Sequence, residues 1–139
     1  MADLQRFLEA QAPVYQQVLA ELRAGRKRSH WMWFIFPQLA GLGHSATARH
    51  YALVDAAHAR AYLADPVLGA RLRECVGLVN LHPELTAEQM FGYPDVLKLH
   101  SCLTLFHAIA PEAPELQAAL RTFYAGVGDA ATQRLLAGA

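Results

Sequence analysis

Behind Pro94, five apolar residues recur at three- and four-residue spacing: Val96, Leu99, Leu103, Phe106 and Ile109. Such a stripe lies along one side of a helix and has no counterpart in a strand, whose faces alternate every second residue. Proline suits the first helical turn, where its missing N–H would have had no partner anyway. Away from the stripe, Lys98, Ser101 and Leu105 share one face, and His100, Thr104 and His107 share another.

The same punctuation recurs along the chain. Asp3 can cap a first helix to about Gln11, with Leu4, Phe7 and Leu8 on its apolar side. Pro13 opens a second, with Val14, Val18, Leu19 and Leu22 inward and Gly25 as its stop. Ser29 can cap a short helix from His30 that Pro37 ends, although an extended path is nearly as well supported. Gly41 and Gly43 mark a loop, and Ser45 caps a helical region that breaks near Asp55 and resumes through Tyr62 and Leu63. Asp65-Pro66 opens a helix towards Asn80. Thr86 and Gln89 match a capping box before a short turn that ends at Gly92. Pro114 starts a helix with Leu116, Leu120 and Phe123 inward, and Asp129 caps a last short one. No run alternates with period two for long enough to propose a sheet. The expectation is all-α: a single compact domain over residues 1–139, with about six to eight helices and no repeat or linker.

Composition narrows the functional classes. With 54% hydrophobic and 17% charged residues in 139, the chain is a globule and not a disordered segment. The formal net charge is zero, so no global field draws nucleic acid or an anionic membrane, and anion binding must be local. No signal peptide is expected, because no charged stretch leads into an apolar run and cleavage site. The longest apolar run, Trp31 to Pro37, is far below the roughly 20 residues of a membrane helix. Cys75 and Cys102 lack ligand spacing, which suggests a cytoplasmic protein with buried free thiols. Among the seven histidines no HExxH occurs, and no two stand three or four apart; His44, His50 and His58 read as surface or satisfied core residues, and no metal is expected. Gly41-Leu42-Gly43 has no preceding strand and no GxxxxGK occurs, so nothing supports nucleoside triphosphate chemistry or another cofactor.

Two segments carry the remaining chemistry. In RKRSHWMWFIFPQ, Lys27 with Arg23, Arg26 and Arg28 places donors beside a helix start at Ser29, a setting for phosphate or carboxylate. Trp31 and Trp33 can stack on a planar ring, and His30 titrates near neutrality. The plainer reading makes the arginines surface charge and Trp33, Phe34 and Phe36 core; the two are compatible, since a pocket wall is core on its far side. In FGYPDVLKLHSCLTLFH, Asp95 and Lys98 can simply pair on the helix surface. Alternatively Lys98 holds an anion and Asp95 orients it or acts as a base. Ser101, His107 and Asp95 do not have triad geometry on one helix.

The stretches GRKRSHWMWFIFPQLAGLGHS, ARHYAL, AYLADPVLGARL and FGYPDVLKLHSCLTLF together resemble a bacterial, all-helical, single-domain family of unknown function. Some members of that family carry the automatic label "calpastatin". The resemblance runs from about Phe7 to Leu135. It implies a helical fold and draws attention to Lys27, Ser29, His30, Trp31, Trp33, Gln38, Gly43, Ser45, Tyr51, Asp95, Lys98, Ser101 and Thr104; it implies no catalytic role. Calpastatin itself is long, repetitive and disordered, unlike this chain. The order of helical segments is also similar to that of helical enzymes cleaving N-glycosidic bonds of ADP-ribose-type compounds. Where those have a glutamate after the capped loop, this chain has Ala48-Arg49-His50.

The leading expectation is a polar cleft for a small anionic, nucleotide-like or phosphorylated ligand. Lys27 and Lys98 would neutralise the anion, and Trp31 or Trp33 would form a wall. Ser29, His30, Gln38, Ser45, Ser101 and Thr104 would orient it by hydrogen bonds. In an enzyme, His30 or Asp95 would be the general acid or base. This requires both lysines to face one cavity. The alternatives are a protein-interaction module using an exposed RKRSHWMWF patch, and an N-glycosidic-bond hydrolase. No membrane or general nucleic-acid partner is expected, and the sequence does not indicate an oligomeric state.

Overall fold

The stripe behind Pro94 becomes the longest helix of the protein, in a computed structural model that describes residues 3–138. In chain order the helices are α1 (Gln5–Gln11), α2 (Tyr15–Arg23), α3 (Met32–Ile35), α4 (Ala46–His50), α5 (Ala56–Ala64), α6 (Leu68–Val79), α7 (Ala87–Phe91), α8 (Asp95–Ile109), α9 (Pro114–Tyr124) and α10 (Ala130–Gly138). The all-helical, single-domain expectation holds. The helical segments outnumber the expected six to eight because α3, α4 and α7 are only four or five residues long.

Helix α8 packs against α5, α7, α9 and α10, while α6 packs against α2, α5 and α9. These two helices are therefore joined through α5 and α9, and α1 closes onto α3. From Ser101 to Phe106 every residue of α8 is buried, so its second half is central and not amphipathic. Ser101 and Thr104 go inside because their hydroxyls donate to the carbonyls of Leu97 and His100, at 3.2 and 2.7 Å. A residue that can bond its own previous turn does not need water. Gly69 lets α6 start directly beneath α5, since a Cβ there would collide with the Leu63 carbonyl.

Local caps form where the side chains require them. Ser45, Asp55 and Thr86 accept from the N–H groups of Ala48, His58 and Gln89, and Thr86 with Gln89 completes its capping box. Asp65 accepts from Val67 and Leu68, and Asp129 from Thr132. Three expectations fail: the helices after Pro13 and Pro66 begin only at Tyr15 and Leu68, and Trp31, not Ser29, precedes the first residue of α3.

Ser29 is engaged elsewhere. Its hydroxyl donates to the Glu21 carboxylate at 2.6 Å, and its N–H donates at 3.0 Å. The Arg28 N–H, the Trp31 indole N–H and the Gln17 amide donate to the same carboxylate, at 2.7, 2.9 and 2.8 Å. Glu21 is buried on α2 and makes no ion pair among the described residues. Burial pushes its carboxyl up. The bonds from Ser29, Arg28 and Gln17 outweigh that and hold it at about 2.

Cys75 and Cys102 are free and buried. Burial pushes the Cys75 thiol up to about 12 and Cys102 well above its usual value, so neither is a nucleophile at neutral pH. His58 accepts the Val54 N–H on Nδ1 and donates from Nε2 to the Asp3 carbonyl, a satisfied core residue. No helix among the described residues is long and apolar enough to cross a membrane.

A carboxyl held below its ordinary value of 4.5 stabilises the fold fully above that pH and loses its contribution as pH falls towards about 2. Glu21→Gln should therefore destabilise the protein by about 1.5–3 kcal/mol at pH 7, the scale of charge-assisted hydrogen bonds. The difference from wild type should shrink between pH 4.5 and 2. Chemical unfolding followed by circular dichroism across that range measures both, and equal stability at pH 7 would refute the role given to Glu21.

Candidate functional site

A cleft of about 470 Å³ opens between a loop-and-helix segment and one end of α8. The first wall is a single excursion of chain, from which Gln38, Leu39, Leu42, Gly43, His44, Ser45, Ala48, Tyr51 and Ala52 line the cavity. An isolated parallel bridge between Leu39 and Leu53 closes its base: the Leu53 N–H donates to the Gln38 carbonyl at 2.9 Å, and Ala40 to Leu53 at 2.7 Å. Gly43 is needed here for space, because a Cβ on it would sit 2.5 Å from that of Ala48. Ser45 caps α4 in the same wall.

Facing it are Pro94, Leu97, Lys98 and Ser101, with Asp129 and Ala131 from the start of α10. Trp33 of α3 also lines the cavity, and the Lys98 ammonium lies 4.7 Å from the centre of its ring. Desolvated pairs of this kind are worth up to about 2 kcal/mol.

Behind Lys98 stands a second lysine. Lys27 Nζ is 2.8 Å from Asp95 Oδ2, and Lys98 Nζ is 3.4 Å from Asp95 Oδ1. Lys27 also donates to the Ser29 carbonyl at 2.6 Å and sits 5.1 Å from the Trp31 ring centre. Its side chain is only 8% exposed, so it supports the site from within and does not line it. The two lysines meet on one carboxylate, but only Lys98 lines the cavity, so the expectation that both face it is not met. The Asp95–Lys98 contact is a partly buried pair within α8, and the Lys27–Asp95 pair bridges α8 to the segment before α3.

The other residues singled out by sequence divide cleanly. Trp33, Gln38, Ser45, Lys98 and Ser101 line the cleft, as do Gly43 and Tyr51. Trp31 is core, packed on Phe36 and Phe91 at ring-centre distances of 6.1 and 6.4 Å. Ser29 is tied to Glu21, and His30, Arg26 and Arg28 are exposed outside the cavity. The cluster of basic residues thus splits, with Lys27 turned in and its arginine neighbours turned out. Thr104 stands one layer behind the cleft, where its hydroxyl accepts the Asp129 N–H at 2.9 Å.

Asp129 is the residue that sequence reasoning left as a mere helix cap. Its Oδ2 accepts from the Thr132 hydroxyl at 2.7 Å and the Thr132 N–H at 3.0 Å, and the Ser101 hydroxyl, whose one proton is shared with the Leu97 carbonyl, stands 3.4 Å away. Burial pushes this carboxyl up, but the Thr132 bonds, the nearby His100 and Ser101 outweigh it and lower it. Its other neighbour, His100, stacks on Tyr124 at 4.1 Å and bonds the Val127 carbonyl at 2.7 Å. Among the described residues no group of three or more His, Cys, Asp or Glu side chains could hold a metal ion.

Thr104→Val removes the acceptor for the partly buried Asp129 N–H without changing charge or shape. It should lower stability by about 1–3 kcal/mol and show as a lower melting temperature, while an unchanged value would mean that the α8–α10 junction does not rely on this bond.

None of the curated proteins matches the chain. Among solved structures it is similar to the conserved hypothetical protein Rv1873 from Mycobacterium tuberculosis, with 51% sequence identity and a TM-score of 0.96, covering 98% of this chain and 97% of that one. Residues 1–136 match the family described as "Protein of unknown function (DUF1810)", and the chain belongs to that family.

Proposed function

We propose that the protein binds a small anionic ligand, nucleotide-like or phosphorylated, in the cleft beside Lys98. The observation that carries this is the pairing around Asp95: two lysines share its single carboxylate, so positive charge is in local surplus at Lys98, while the negative Asp129 lines another part of the same cleft. A lysine paired with its own carboxylate would offer an anion little; here the second, buried lysine leaves Lys98 in surplus. The 470 Å³ volume is in the range of small-molecule sites. Aromatic surface from Trp33 and Tyr51 adds a wall for a planar or apolar group. Gln38 and Tyr51 line the cavity, and neither side chain makes a hydrogen bond among the described residues.

The interaction-module alternative calls for an exposed aromatic patch in RKRSHWMWF. Trp31 and Met32 are buried and Trp33 and Phe34 half-buried, which favours the cleft.

The test is a thermal-shift and calorimetric screen against inorganic pyrophosphate, ribose 5-phosphate, AMP and ADP-ribose. A compound at about 100 times its dissociation constant should add roughly 2.7 kcal/mol of stability. Lys98→Ala should weaken binding by about ten- to a hundredfold, the value of one charge-assisted bond. Asp95→Asn should do the opposite for an anion: tighter binding from the added positive charge, with lower stability because buried Lys27 loses its partner. A folded protein that responds to none of these compounds would overturn the proposal.

A further inference from the structure

Asp129 is a carboxylate with one oxygen used and one free. The hydrogen bonds it accepts converge on Oδ2, from the Thr132 hydroxyl and N–H, with the Ser101 hydroxyl, shared with the Leu97 carbonyl, 3.4 Å from the same oxygen. Among the described residues Oδ1 accepts none, and no cation forms an ion pair with the group. Helix capping needs only one oxygen, so the fold leaves a fixed, charged acceptor in the wall of the cleft. Its orientation is set from two sides, by the first turn of α10 and by Ser101 on α8.

Position gives this acceptor a meaning. Lys98 and Ser101 both line the cleft from α8, and Asp129 lies beside Ser101, so one cavity presents an ammonium and a free carboxylate oxygen. A bare phosphate has use for the first and is repelled by the second. A ligand that satisfies both has an anionic group at one end and a hydrogen-bond donor close by. A phosphorylated sugar has that layout: its phosphoryl group is joined through a short carbon frame to neutral hydroxyls. Resting on the anion-binding reading above, we infer that the cleft selects sugar phosphates and ribonucleotides over bare anions, with Asp129 accepting from a sugar hydroxyl while Lys98 holds the phosphoryl group. Asp129 is then the residue that decides specificity, since a carboxylate left facing a carbon in place of a hydroxyl loses its solvation without a partner.

The experiment measures dissociation constants by calorimetry for pairs that differ in hydroxyls alone. The pairs are ribose 5-phosphate with 2-deoxyribose 5-phosphate, and AMP with its 2′-deoxy and 3′-deoxy forms. Inorganic pyrophosphate and free phenylalanine serve as further probes. Removal of the recognised hydroxyl should weaken binding about tenfold or more, and Asp129→Asn, which keeps the cap on α10, should erase that difference. The comparison on wild-type protein needs no variant and stands even if Asp129→Asn folds poorly. Equal affinity for every hydroxy and deoxy pair would overturn the inference and leave anion binding intact. So would binding of pyrophosphate but no sugar phosphate. Binding of phenylalanine that depends on Asp129 would overturn it in favour of an ammonium at the carboxylate. Silence from every phosphorylated probe would overturn the anion-binding reading itself.

Discussion

A buried carboxylate with five donors and no cation organises this molecule around its site. Glu21 gathers the side chain of Gln17 from its own helix and four N–H or O–H groups from Arg28, Ser29 and Trp31. An ion in a low-dielectric interior is costly unless its lone pairs are filled, and here they are. The chain between α2 and α3 has no regular structure of its own, so these bonds fix its path. That path decides which way Lys27 turns, and it drives Trp31 into the core while Trp33, two residues on, reaches the cleft.

The electrostatics of the site follow from that. Lys27 arrives beneath α8 from a different part of the chain and takes one oxygen of Asp95, while Lys98 takes the other. A carboxylate placed between two ammonium groups ties the segment before α3 to the first turn of α8. It also leaves positive charge unspent on the cavity side. At the far end of the same wall, Asp129 is negative and equally well anchored. A globally neutral protein thus keeps a strongly polarised cleft, because charge is arranged locally and not in bulk.

Much of the helical plan could be read directly, for physical reasons that are local. A cap needs only a side-chain oxygen and an N–H two or three residues ahead, so Ser45, Asp55, Thr86 and Asp129 behaved as their types suggest. Ser29 did not, because Glu21 competes for its hydroxyl from another helix. A clue was present: Glu21 stands three residues after Val18 and seven after Val14, on the apolar side of α2, where a carboxylate is out of place unless something inside needs it. That every residue from Ser101 to Phe106 is buried could not be read, because the chain alone does not tell how many neighbours surround a helix. Trp33, Gln38, Ser45, Lys98 and Ser101 were picked out by residue type and do share a cavity. Lys27, Trp31 and Thr104 form the layer behind it, a distinction that depends on side-chain direction. Asp129 was hidden by its own success as a cap, which accounts for one oxygen and conceals the other.

The bridge between Leu39 and Leu53 makes one wall of the cleft a closed excursion, held at its neck by two hydrogen bonds and packed on the core through Leu42 and Tyr51. The opposite wall belongs to α8, which cannot change without disturbing the whole interior. The two sides therefore tolerate alteration unequally. Because the entropy of closing a loop grows only slowly with its length, segments can be inserted or exchanged beyond the neck at small thermodynamic cost. The shape of the pocket can diversify on that side alone, while the charges on α8 and at the start of α10 stay where the fold holds them.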